Sequence, residues 1–247
     1  MIVVRLMGGL GNQLFQWAYG KCLSIRYGHD LYLDVSFLDS EYEGITKREF
    51  SLAKLGIEDQ ACVFREQGLT LVTDEIPFSH RPGESYLIQG YFQNERNFME
   101  IASYVRAAIG PGSDFRESSG ISAGDVSMHV RRTDYLSSNG AHPVQDAAYY
   151  EEAISLIGSY ERILIFSDDH EWCMQNLSFE RAFLAGGRDD AEDMLLMSLC
   201  GDNIIANSSF SWWGAWLNER RGKKVVYPKR WFGYGACDIP CLSWTGI

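Results

Sequence analysis

The sequence predicts an α/β protein made of two parallel-sheet units, and three observations carry that expectation. Short apolar runs alternate along the chain with stretches of helical period, the pattern of βαβ units. Glycine-rich or polar clusters follow several of those runs directly, at the strand ends where open parallel sheets place their ligands. A Gly/Ser/Pro-rich zone at 110–120 divides the chain into two such halves, 1–115 and 121–247.

The chain opens with the apolar run 2–6, then Gly8-Gly9-Leu10-Gly11-Asn12-Gln13, then apolar residues at Leu14, Ala18, Cys22 and Ile25. That is a strand, a glycine turn and a helix, and the run 31–35 supplies the next strand. Segment 36–84 has no clear period. Glu41, Glu43, Lys47, Arg48 and Glu49 make it polar, and it reads either as an acceptor-facing insertion or as loop and short helix. Ser85-Tyr86-Leu87-Ile88-Gln89-Gly90 reads as a strand, and Asn94 as the cap of a helix whose apolar face is Phe98, Ile101, Ala102, Val105 and Ile109. In the second half, 125–130 alternates as a strand, and Ala147, Tyr150, Ile154 and Ile157 mark a helix. The run 162–166 is a buried strand and 181–184 a weaker one. A helix opens at Asp189-Asp190 and runs to Cys200, 203–206 is a strand, the last helix begins at Trp212, and 225–227 is the last strand. Trp212, Trp213 and Trp216 at helical spacing read as core rather than as a sugar platform.

With 247 residues, 46% hydrophobic and 22% charged, the chain is of globular type and long enough for two cores. The net charge of -11 argues against nucleic-acid binding, which needs a basic face, but leaves room for a nucleotide in a local basic pocket. Six cysteines without a C-x-x-C pair point to a reducing compartment, free thiols and no zinc site; Cys237 and Cys241 are near enough to pair, but read as incidental. The N-terminus lacks a signal-peptide pattern, and no run reaches the roughly 18 apolar residues of a membrane span. The expectation is a cytoplasmic protein. Arg220, Arg221, Lys223, Lys224, Lys229 and Arg230 read as solvated surface, with peripheral contact to an anionic membrane face as the alternative.

The functional reading starts at Met128-His129-Val130-Arg131-Arg132-Thr133-Asp134-Tyr135, where a strand ends in two adjacent arginines and a carboxylate. Adjacent guanidiniums repel unless an anion lies between them, and their planar forks fit phosphate oxygens. A solvated Arg–Asp pair is the plainer reading. Two more clusters follow strands in the same half: Ser167-Asp168-Asp169 and Asn207-Ser208-Ser209-Phe210-Ser211. Together they point to a nucleotide diphosphate pocket. Arg131 and Arg132 suit the phosphates. Ser208, Ser209 and Ser211 stand at a helix start, a ready anion site. Asp168, Asp169 and Asp193 are acceptors for ribose hydroxyls or the amine edge of guanine. His129 reads either as a site residue or as a satisfied structural histidine. The competing reading is Mg²⁺ at Asp168-Asp169, or at Asp189-Asp190-x-x-Asp193. Acids at a helix start also simply favour the helix dipole, and two arginines make a metal unnecessary. In the first half, Gly9 and Gly11 let backbone approach a ligand, and Asn12 and Gln13 offer amides, unless Asn12 is only the helix N-cap. That turn is neither a dinucleotide fingerprint nor a P-loop.

Gly-Gly-Leu-Gly-Asn-Gln-Leu-Phe-Gln at 8–16, His-Val-Arg-Arg-Thr-Asp-Tyr at 129–135, Phe-Ser-Asp-Asp at 166–169 and Asn-Ser-Ser-Phe-Ser-Trp-Trp at 207–213 occur in that order. In this the chain resembles the α-1,2-fucosyltransferases of glycosyltransferase family 11, of bacterial type. The resemblance implies a GT-B-like architecture, two Rossmann-like α/β domains facing across a cleft, with the first on the acceptor side. It implies inverting, metal-independent transfer of fucose from GDP-fucose to a glycan hydroxyl, the 2-hydroxyl of galactose, with no cofactor. Carried over by motif, Arg131 and Arg132 hold the diphosphate and Asp168, Asp169 and Asp193 the guanosine. His129 and residues 207–211 line the donor, while Gly9, Gly11, Asn12 and Gln13 come from the first domain, with Asn12 at the reaction centre. Asp134 is either the catalytic base or an orienting group for Arg131 or His129. The alternatives are a metal-dependent glycosyltransferase using another nucleotide sugar and a non-catalytic sugar- or nucleotide-binding protein. The chain is short for the family in 36–84, which bears on the acceptor.

Overall fold

The computed structural model describes residues 1–39, 47–57, 59–64, 68–186, 188–235 and 237–247, so Glu41 and Glu43 lie outside the described residues. The chain forms two compact units, Met1–Gly110 and Pro111–Ile247. The zone read as a linker carries a short helix of its own, Ser113–Ser118.

Unit 1 opens with strand β1 (Ile2–Arg5), the Gly8-Gly9 turn and helix α1 (Leu10–Tyr27). The helix starts at Leu10, and its N-cap is Gly9, which has no side chain to cap with; Asn12 is therefore not the cap but lies in the first turn. β2 (Leu31–Asp34) and α2 (Ser36–Asp39) follow. The stretch without period contributes two short strands, β3 (Ala61–Cys62) and β4 (Thr70–Val72), and β5 is Tyr86–Ile88. The sheet order is β3-β2-β1-β5-β4, with every pairing parallel. Asn94 caps a 3₁₀ turn, accepting from Arg96 N, and the regular helix α3 begins only at Ala102 (Ala102–Ile109).

Two glutamines of α1 fix the loops at the carboxyl edge of this sheet. Gln16 is fully buried: its Oε1 accepts from Met7 N at 2.9 Å and its Nε2 donates to Gly90 O at 3.0 Å, joining the loops after β1 and β5. Gln13, also fully buried, donates to Gly8 O and Glu49 O and accepts from Ser51 N. One carboxamide supplies both a donor and an acceptor, so it can satisfy two buried backbone groups without burying a charge.

Unit 2 runs, after helix α4 (Ser113–Ser118), through β6 (Asp125–Val130), α5 (Thr133–Leu136), α6 (Ala147–Ile157), β7 (Arg162–Ser167), α7 (His170–Asn176) and β8 (Ala182–Ala185). It continues with α8 (Asp190–Leu199), β9 (Asp202–Ile204), α9 (Ser209–Leu217), β10 (Val225–Tyr227) and β11 (Thr245–Gly246). The sheet order is β11-β10-β9-β6-β7-β8, again with all pairings parallel. β6 is buried at every position, as a central strand covered on both faces must be. Val126, Met128 and Val130 pack with Tyr149, Tyr150 and Ala153 of α6; Phe166 packs with Leu196 and Met197 of α8. Trp212, Trp213 and Trp216 are buried, and the Trp212 indole donates to Ile239 O, so these rings are core.

Arg220, Arg221, Lys224, Lys229 and Arg230 are exposed, as expected of solvated surface, with Lys223 half-buried, but three residues of the segment also bond backbone carbonyls. Lys223 Nζ donates to Ala215 O and Asn218 O, Lys224 Nζ to Leu156 O and Ile157 O, and Arg220 Nε to Leu199 O. These are the open carbonyl ends of α9, α6 and α8, where cations are favoured. None of the six cysteines is in a disulfide, and no helix among the described residues is long and apolar enough to cross a membrane.

Gln16→Leu keeps the volume but strands the Met7 amide and the Gly90 carbonyl. We expect a loss of about 2–4 kcal/mol in unfolding free energy, measured by urea denaturation. A loss below about 0.5 kcal/mol would mean that water replaces both bonds.

Candidate active site

The order of the second sheet reverses between β6 and β9: the chain goes from β6 outward to β7 and β8, then returns to the other side of β6. In open parallel sheets the loops leaving the carboxyl ends of such a strand pair diverge, and ligands are held between them. The Arg131 loop follows β6, Asn207-Ser208 follows β9, and Asp168-Asp169 follows β7 next door.

Asp168 binds the Arg131 loop from the side. Its carboxylate accepts from Arg132 N (2.9 Å), Thr133 N (3.2 Å) and Thr133 Oγ1 (2.6 Å), and lies 3.1 Å from Arg131 Nη1. Burial alone would push this carboxyl up, but the Thr133 hydroxyl, the Arg131 charge and the Arg132 amide hold it below the ordinary carboxylate range. Arg131 also donates to Asp134 Oδ2 at 2.7 Å, and its guanidinium faces the Tyr135 ring. Arg132 pairs through Nε with Asp169 Oδ2 at 3.2 Å and lies 4.0 Å over the Trp172 ring. The anions between the two guanidiniums are thus the chain's own carboxylates. Among the described residues, Nη1 and Nη2 of Arg132 have no hydrogen-bond partner.

The other predicted residues divide. Ser208 is the N-cap of α9 and Ser209 its first residue, and the Ser208 hydroxyl does not cap the helix. Ser211 is buried and points its hydroxyl at Ser208 O and Ala206 O, so it is structural. Asn207 is buried too: Nδ2 donates to Trp231 O, Oδ1 accepts from Gln145, and its carbonyl accepts from Tyr135 OH at 2.9 Å. It ties three loops together. Phe210 packs against the His129 ring, with centroids 5.3 Å apart. Asp193 is in the first turn of α8, with Oδ1 buried and unpartnered and its carboxyl pushed up by burial; Arg188 and His170 oppose that rise. Asp189 is the N-cap of α8, accepting from Glu192 N at 2.8 Å, so capping accounts for the head of that acidic run.

Gly9, Gly11, Asn12 and Gln13 all belong to unit 1. Gln13 is committed at both ends of its amide to the backbone of its own unit, so it is a structural residue rather than an offered ligand. Asn12 is half-buried, and its Oδ1 accepts from Gln93 Nε2 at 2.6 Å. Sequence reasoning missed Trp172, His142 and Gln145. His142 stacks on Tyr135 at 4.7 Å, backing the ring that faces Arg131. Trp172 had a signal: Asp169-x-x-Trp172 is N-cap spacing, and Asp169 Oδ1 does accept from Trp172 N at 3.0 Å.

The sequence profile of glycosyl transferase family 11 matches residues 45–232. The chain belongs to that family. It is a glycosyltransferase of the fucosyltransferase type. An α-1,2-colitosyltransferase of Escherichia coli is 33% identical over 94% of this chain and 92% of that protein. A galactoside α-(1,2)-fucosyltransferase 1 of Bos taurus is 31% identical over 37% of this chain and 29% of that protein. Among solved structures, the α-1,6-fucosyltransferase NodZ soaked with GDP-fucose superposes with a TM-score of 0.51 at 15% identity, over 87% of this chain and 91% of that one. The two parallel-sheet units are therefore of GT-B-like fold.

His129 yields a pH prediction. It is 4% exposed with Nδ1 buried and unpartnered, and burial, then the Arg131 charge, lower its pKa to about 3, with Asp168 opposing. The unfolded chain, with an imidazole pKa near 6.5, takes up a proton that the native state refuses. Stability should therefore fall as pH drops from about 6.5 toward 3. His129→Gln should flatten that fall, whatever its stability at neutral pH. Urea midpoints between pH 7 and 4.5 measure it, and parallel wild-type and variant curves would refute it.

Proposed function

We propose that the protein transfers fucose from GDP-fucose to a glycan hydroxyl, the 2-hydroxyl of a terminal galactose, with inversion and without a metal. One observation carries this reading: at the switch point of the second sheet, Arg132, whose Nη donors have no partner among the described residues, follows β6 beside Arg131, and the start of α9 follows β9. A leaving diphosphate develops negative charge, and donors fixed in place before reaction stabilise it most. Asp193, with its unpartnered oxygen, suits the guanine amine edge. Asp134, bonded to Arg131 at 2.7 Å, serves as an orienting group in this reading, not as the base. The galactoside and α-1,2 specificity rest on the names of the two relatives.

Colitose is a second reading for the donor sugar, favoured by the near-full-length similarity to a colitosyltransferase. Colitose lacks the 3-hydroxyl of fucose. A site built to bond that hydroxyl rejects the deoxy sugar by about 10⁴-fold, whereas an apolar pocket discriminates by only about 10²-fold. Comparing kcat/KM for GDP-fucose and GDP-colitose decides between them.

The test of the main reading is GDP release with GDP-fucose and a panel of galactose-terminated oligosaccharides, with and without EDTA. Turnover that survives chelation supports it; turnover abolished by EDTA and restored by Mg²⁺ or Mn²⁺ would replace it with a metal-dependent reaction. At least one of Arg131→Lys and Arg132→Lys should lose on the order of 100-fold in kcat/KM, about 2.7 kcal/mol, because a point donor cannot reproduce a planar fork. Both variants should melt near wild type. Two folded lysine variants with unchanged kinetics would dissolve the assignment.

A further inference from the structure

The first sheet also reverses its order, between β1 and β5. Its own crevice position lies outside the carboxyl ends of those two strands, where the Gly8-Gly9 turn and the turn 89–93 emerge. That second turn has a backbone that its sequence does not favour. Phe92 adopts φ 49, a left-handed conformation rare for an aromatic residue. Three contacts impose it. Asp74 accepts from both Tyr91 N and Phe92 N at 2.8 Å, Asn97 Nδ2 donates to Phe92 O at 3.0 Å, and the buried Phe92 ring packs on Tyr19 with centroids 4.5 Å apart. Gly90 leaves room for this clamp, since a Cβ there would come within 2.4 Å of Asp74 Oδ2.

The outcome is the presentation of the residues on either side. Tyr91 is 45% exposed on a turn whose neighbours are pinned. Gln93 is fixed by its Nε2 bond to Asn12 Oδ1, while its Oε1 has no partner among the described residues and is not enclosed. An exposed aromatic ring two residues along the same turn from a carboxamide held at one end is the chemistry that recognises a sugar: the ring packs on C–H groups and the amide oxygen accepts from a hydroxyl. Neither residue is buried, so the clamp that seats the Phe92 ring also fixes how the residues on either side are displayed.

We propose that Tyr91 and Gln93 form an acceptor-sugar subsite on unit 1, with Asp74 as the residue that positions them. This rests on the glycosyl-transfer reading above and adds where the hydroxyl-bearing substrate is held.

The experiment compares Tyr91→Ala, Gln93→Ala and Asp74→Ala with wild type, using the galactoside acceptor that turns over in the panel. Each variant should lose at least about 10-fold in kcat/KM for the acceptor while its KM for GDP-fucose and its thermal stabilisation by GDP stay unchanged. Asp74→Asn, which retains an accepting oxygen, should recover part of the loss. Wild-type acceptor kinetics in both Tyr91→Ala and Gln93→Ala would overturn the proposal, as would a parallel loss of GDP stabilisation. A saturation-transfer NMR measurement with methyl β-galactoside on the intact protein separates the two readings. If wild type transfers no fucose to any galactoside, the functional reading fails. The subsite still stands if the galactoside signal is present in wild type and absent in Tyr91→Ala, and falls if wild type gives no signal.

Discussion

The carboxylate of Asp168 is the constraint on which the arginine loop of the second unit depends. It closes the gap between two strand ends by accepting two amides and a hydroxyl from the Arg131 loop while it faces the Arg131 guanidinium. That position is available only because β6 and β7 pair in one register, from Asp125↔Arg162 to Val130↔Ser167. The register is secured at its far end by a second carboxylate. Asp125, fully buried, takes both Arg162 Nε (2.8 Å) and Arg162 Nη2 (2.5 Å), in the same pair of residues that opens the ladder. A slip of one residue would turn every side chain of β6 to the other face and carry the arginines away from Asp168. Sheet register, loop shape and guanidinium direction are one linked arrangement.

Unit 1 meets part of a similar need with neutral groups. Its loops are joined by Gln13 and Gln16, which serve backbone donors and acceptors in places with no exposure at all. A carboxylate there could accept but not donate, and would have to be paired to repay its desolvation. The difference follows from what each edge must hold. In unit 2 the bonded groups include guanidiniums, and carboxylates neutralise them. Around Gln13 and Gln16 they are backbone amides and carbonyls, and a carboxamide matches both; where only amides need a partner, at Tyr91 and Phe92, the Asp74 carboxylate serves.

Much of this was legible in the sequence, for reasons that differ by element. Buried strands such as β6 and β7 are continuous apolar or alternating runs, and the polar clusters that follow them could be located without a structure. β3 and β11, of two residues each, carry no period to detect. The roles inside the clusters were less accessible. Ser211 and Gln13 look like ligands in the sequence but turn inward, because only the fold reveals which backbone groups need partners. The basic segment is the clearest case. Lys224 caps the end of α6 from 67 residues away, and nothing local to 220–230 announces it. The clamp on Phe92 was equally hidden, since Asp74 lies in the stretch that had no readable period.

In the proposed reading an acidic chain of net charge -11 receives an anion, and the same contacts say how. Arg131 and Arg132 are met by Asp134, Asp168 and Asp169, so the cluster carries no excess of positive charge. Attraction at a distance is therefore weak, and what remains is direction. Arg131 is fixed by two carboxylates, and Arg132 by Asp169 on one edge and the Trp172 face beneath. A planar fork held on one edge keeps its other edge aimed, whereas a lysine would place its single ammonium on the nearest carboxylate and offer nothing further. Donors already oriented need no rearrangement as charge develops on a leaving group. The carboxylates that cancel the arginines' charge are thus the same groups that give their remaining donors a direction.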